Sequence, residues 1–79
     1  MKLKTFKLLD EYHFYLTFEN SEKGEVDLKE LLSSHISLDD IDTAFLNKDW
    51  GCLEFKEHTV DIEPKTLYKF FLKHKVSDI

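Results

Sequence analysis

The sequence predicts an α+β fold: a small antiparallel sheet of about four to five strands, short central helices, and a C-terminal helix packed on one face. Three observations carry this expectation. Residues 12–19 alternate apolar and polar side chains, the period of a half-buried strand. Pro64 opens a stretch whose apolar residues recur at helical spacing. The strand-like runs are grouped on either side of a short helical region, which favours antiparallel pairing over βαβ crossovers.

The elements follow in order. Residues 5–9 read as a short strand and Asp10-Glu11 as a tight turn. In the next strand Tyr12, Phe14, Leu16 and Phe18 share one face, while His13, Tyr15, Thr17 and Glu19 share the other. Residues 20–24 form a hairpin loop, with Gly24 free to take a positive φ, and residues 25–27 a third strand. Asp27 is placed to cap a helix over residues 28–33, with Glu30 three residues on and Leu28, Leu31 and Leu32 as the apolar stripe. Ser37 and Asp40 repeat a weaker cap signal, so a second helical turn is expected over residues 38–46. It would bury Leu38, Ile41, Phe45 and Ala44, and end at Asn47-Lys48-Asp49. Residues 50–55 read as a fourth strand, Lys56-Glu57-His58 as a turn, and residues 59–62 as a fifth strand. Pro64 suits the first position of a helix running to about Lys75, with Asp61 and Glu63 as candidate caps.

Length and composition narrow the classes. A chain of 79 residues with 42% hydrophobic residues is expected to fold as one domain over residues 1–79. No apolar stretch approaches the roughly 20 residues that cross a bilayer. The alternating N-terminus, Met1-Lys2-Leu3-Lys4-Thr5-Phe6-Lys7, lacks an apolar signal core, so a cytoplasmic location is expected. The single cysteine, Cys52, excludes an intrachain disulfide and a multi-cysteine zinc site. It reads as a small buried hydrophobe. Net charge is −5 and every cation is Lys. Acids concentrate in residues 10–63, whereas residues 1–9 hold three Lys and no acid, and residues 64–79 hold four Lys and one acid. Adjacent ends would make the molecule a charge dipole that steers a charged partner.

The last helix is the most informative element. On a wheel of about 100° per residue with Leu67 at zero, Phe71 falls near 40°, Tyr68 near 100°, Leu72 near 140° and Phe70 near 300°. An arc of roughly 200° exceeds what one sheet covers. The Tyr68–Leu72 flank is therefore the candidate partner surface, bordered by Lys65, Lys69 and Lys73 at i, i+4, i+8. A homodimer or a small partner protein would cover it, together with a strand edge. The alternative cover is the sheet itself, curling round the helix.

No catalytic or cofactor-binding constellation is found: no phosphate-cradling glycine loop, nucleophile elbow or zinc-protease helix occurs. His13, His35, His58 and His74 show no pairwise ligand spacing, and Asp39, Asp40 and Asp42 lack the glycine of a calcium loop. The expectation is a non-enzyme with neither metal nor cofactor. The lysine stripe raises an alternative, a nucleic-acid-associated transcriptional regulator; the negative net charge and the absence of Arg argue against it.

Two stretches carry a family resemblance. One is Phe18-Glu19-Asn20-Ser21-Glu22-Lys23-Gly24-Glu25-Val26-Asp27-Leu28-Lys29-Glu30-Leu31-Leu32. The other is Leu53-Glu54-Phe55 followed by Val60-Asp61-Ile62-Glu63-Pro64-Lys65-Thr66-Leu67-Tyr68. Together they resemble the small bacterial domain-of-unknown-function family DUF2442, with its closing Asp-Ile-x-Pro-x-x-Leu-Tyr motif. The family usually has Trp-Pro-x-Gly in the last hairpin, where Phe55-Lys56-Glu57-His58 stands here. The resemblance implies a compact α+β domain, found alone or fused to a helix-turn-helix domain and often encoded beside toxin–antitoxin-like partners. No fused helix-turn-helix is expected in this chain. The resemblance implies an antitoxin-like or regulatory interaction module and carries over no enzyme activity.

Overall fold

The computed structural model describes residues 1–76. Its strands are β1 (Leu3–Asp10), β2 (His13–Phe18), β3 (Lys23–Asp27), β4 (Phe45–Asn47), β5 (Cys52–Phe55) and β6 (Val60–Ile62). The helices are α1 (Lys29–Leu32), a 3-10 turn over Leu38–Thr43, and α2 (Pro64–His74).

The α+β class is as expected, but the single sheet of four to five strands is not formed. Two three-stranded antiparallel sheets replace it, ordered β1-β2-β3 and β4-β5-β6. Each is a meander with one face turned inward. Phe14 of the first meets Phe55 of the second edge-on, ring centroids 6.3 Å apart. Between the sheets the backbone link is a hydrogen bond from Leu3 N to the Gly51 carbonyl, 3.1 Å, rather than a continuous ladder.

The strand alternation decides which face is buried. Tyr12, Phe14, Leu16 and Phe18 are all buried, joined by Leu3 from β1 and Val26 from β3. The buried Tyr12 hydroxyl donates to the Ile36 carbonyl at 2.5 Å, which fastens the segment after α1 to the first sheet. Leu53, Phe55 and Ile62 supply the second sheet's share of the same cluster.

Several local expectations change. Gly24 lies within β3 without a positive φ; its α-carbon faces the Phe71 ring, where an added methyl would stand 3.7 Å from that ring. Ser21 is the left-handed residue of that loop, at φ 72°. Asp27 Oδ1 accepts from Lys29 N at 2.9 Å, but the N-cap position of α1 falls on Leu28, without a side-chain cap, and α1 is a single turn. The second helical segment stops at Thr43, so Phe45 and Leu46 belong to a strand and Leu38 is exposed. Thr43 explains the stop. Its hydroxyl donates to the Asp40 carbonyl at 2.6 Å and accepts from Lys56 N at 3.0 Å, competing with continued helix and tying this turn to the β5–β6 loop. Trp50 lies in the β4–β5 turn and not in a strand. Glu63 occupies the α2 N-cap position without a side-chain cap, and Asp61 lies in β6.

Candidate interaction surface and an acidic cleft

Helix α2 is positioned by two anchors, Leu67 and Phe71, both fully buried. Phe18 packs against Phe71 at 5.1 Å and edge-on against Tyr68 at 4.9 Å between ring centroids. Tyr68 is half-buried, and its hydroxyl accepts from the Asn20 side-chain amide at 3.0 Å. Phe70 is half-buried and stacks on His74 at 4.1 Å. The first sheet thus covers much of the apolar arc. Leu72 remains 46% exposed, and beyond the helix Val76 is 55% exposed.

Lys65, Lys69 and Lys73 are all exposed on the outward side of α2, and no ion pair among the described residues includes them. After the helix, Lys75 pairs with Glu22 at 3.2 Å, and Val76 N donates to the Glu25 carbonyl at 2.9 Å. The segment following α2 therefore occupies part of the free edge of β3.

At the N-terminal end of α2, Lys65 and Pro64 border a cleft of about 650 Å³. Its other walls include Met1, Lys2, Asn47, Trp50, Cys52, Glu54, Asp61 and Glu63. The tight β4–β5 turn builds one lip. Asn47 accepts at its carbonyl from Gly51 N, 2.7 Å, and at its side chain from Asp49 N and Trp50 N, 3.1 and 3.3 Å. Gly51 adopts φ 69° and packs directly on Lys2. The turn holds Trp50 outward, 70% exposed, although single tryptophans are mostly buried.

The floor is set by strand alternation. Leu53 and Phe55 face the core, which leaves Cys52 and Glu54 on the opposite face. Asn47 is registered opposite Cys52, and Asp61 opposite Glu54. Glu54 is buried, with one carboxylate oxygen accepting from the Asn47 amide at 3.1 Å and the other facing His58 Nδ1. The His58 ring in turn stands edge-on against Phe45. Burial pushes the Cys52 thiol above its ordinary value of 9.0, and the charges of Asp61, Glu54 and Glu63 add to that.

Of the residues picked from sequence, Lys65, Lys69, Leu72 and Lys73 lie together on one exposed helix face, with Tyr68 half-buried beside them. Trp50, Lys2 and the Cys52–Glu54–Asp61 cluster are the features that sequence reasoning missed. Alternation around Leu53 and Phe55 carried a signal for Cys52 and Glu54; Trp50 carried none, because its exposure depends on the turn that Asn47 closes.

Taken together, the fold and this surface define a small two-sheet α+β domain with an exposed aromatic at the mouth of an acidic cleft. The chain belongs to the family described as protein of unknown function (DUF2442), whose profile matches residues 4–72. No curated protein and no solved structure compared with the chain matches it. None of the helices among the described residues is long and apolar enough to cross a membrane.

Proposed function

We propose that this chain is a non-enzymatic protein–protein interaction or regulatory module, acting as the antitoxin-like half of a two-protein system. Its binding surface runs from Trp50, Met1 and Pro64 at the cleft mouth along α2 through Lys65, Tyr68, Lys69, Leu72 and Lys73. The observation that carries this reading is the 70% exposure of Trp50 on a turn whose geometry is held by three hydrogen bonds to Asn47. A large exposed aromatic on a turn with a fixed backbone is the kind of residue that anchors interfaces, because covering it buries a wide apolar area at the cost of two side-chain torsions. Lysines along the helix supply a rim of one sign, suited to an acidic partner face. The occupant is a second copy of the chain or a small partner protein.

Solution mass by light scattering tests it, on the chain alone and mixed with the product of the adjacent gene. The reading expects a dimer alone or a complex in the mixture, lost when Trp50→Ala and Leu72→Ala are combined while circular dichroism stays native. A monomer in both samples contradicts it. A second reading, a nucleic-acid-associated regulator, is favoured by the exposure of the Lys65–Lys69–Lys73 stripe. Gel-shift titration at two salt concentrations separates the two, since phosphate contacts weaken steeply with salt.

A further inference from the structure

The floor of the cleft holds a cluster that the interaction reading does not use. The Cys52 Sγ and one carboxylate oxygen each from Glu54 and Asp61 all lie within 4.8 Å of one another. Two of these residues are withdrawn from solvent: Cys52 is 8% exposed and Glu54 5%. The thiol is free and lines the cleft, and none of the hydrogen bonds among the described residues includes it. Glu54 is held from behind by the Asn47 amide and His58, as ligating carboxylates are held by a supporting layer of donors. A buried thiol without a hydrogen-bond partner, set beside two carboxylates in an open cleft, places sulfur and oxygen donors together where an ion can reach them.

We propose that Cys52, Glu54 and Asp61 bind one divalent cation of the zinc type. Sulfur together with carboxylate oxygen suits a borderline metal such as zinc and disfavours magnesium or calcium, which take oxygen alone. An ion about 2.3 Å from sulfur and about 2.0–2.2 Å from oxygen needs these donors within about 4 Å of one another, so any closing of their spacing on binding falls to the most mobile of the three. The exposed Asp61 side chain has the freedom to supply that movement. On binding, the S–H bond breaks, its proton leaves to solvent, and a sulfur–metal bond forms, so one proton is released per ion. Lys2, Lys65 and Glu63 line the same cleft. Three protein donors leave a fourth position open to water or to a donor from a partner.

The test titrates Co²⁺, then Zn²⁺, into the reduced, chelator-treated full chain. The proposal expects a near-ultraviolet thiolate-to-cobalt absorption that saturates at one equivalent and is displaced by Zn²⁺. Cys52→Ala abolishes the absorption. Asp61→Asn, at an exposed position, lowers affinity about tenfold or more with unchanged circular dichroism. Absence of the absorption at about millimolar Co²⁺ overturns the proposal. So does cobalt affinity that is equal in the wild type and Cys52→Ala, which would place the ion at a surface group such as His13, which lies 3.4 Å from Glu25 and 3.6 Å from Asp27.

Discussion

Gly51 shows how much one residue decides. At φ 69°, any side chain would be strained, and a Cβ would come within 2.9 Å of the Lys2 α-carbon. Gly51→Ala is therefore expected to destabilise by about 2–3 kcal/mol and to loosen Trp50, measured by urea unfolding and by fluorescence anisotropy. Cys52 makes a separate prediction, about pH. Its folded-state thiol sits above the ordinary 9.0, so the folded chain keeps a proton that the unfolded chain gives up. That contribution is fully present below pH 9.0 and is lost as pH rises through the raised folded value. With chelator present, the stability difference between wild type and Cys52→Ala should be constant up to about pH 8.5 and then move against the wild type in more alkaline buffer. A difference that stays flat to alkaline pH contradicts the account of this thiol.

At the scale of elements, α2 separates residues that hold the fold from residues that face water. Phe71 is fully buried, touches Phe18 and lies over the Gly24 backbone, so Phe71→Ala is expected to cost about 3–5 kcal/mol. Leu72→Ala, one position on, is expected to cost well under 1 kcal/mol in the isolated chain. Equal costs in thermal unfolding would mean that the exposed flank is part of the core. This helix was readable from sequence because Pro64 fixes its start and Leu67 and Phe71 repeat at one-turn spacing. Strand β2 was readable because Phe14, Leu16 and Phe18, preceded by Tyr12, alternate strictly and leave little choice of face. Strand β4 was not. Its three residues are too few to show a period, and the Ser37–Asp40 cap signal upstream suggested a longer helix than Thr43 permits. Gly24 was misplaced for a related reason: a glycine near a turn suggests positive φ, yet here it makes room for the Phe71 ring. The sheets are two because β1, β2 and β3 pair only among themselves and β4, β5 and β6 likewise; the missed β4 is the third strand of the second meander.

For the whole molecule, the two sheets and α2 enclose one buried cluster and leave a continuous outer surface from the cleft mouth along the helix. Its helical half was visible in the sequence, as the flank of an overly wide apolar arc. The cleft was not, because it depends on how β5 registers against β6 and on a turn closed by Asn47. The interaction surface is defined by burial of Trp50 on association, and the chain's only tryptophan reports on it directly. The decisive measurement is its emission spectrum as the chain is concentrated and as the adjacent gene's product is added. A solvated indole at high dilution is expected to emit at long wavelength and to shift to shorter wavelength on association. Emission unchanged throughout, at concentrations where light scattering shows the mass rising, would place the interface elsewhere and contradict that expectation.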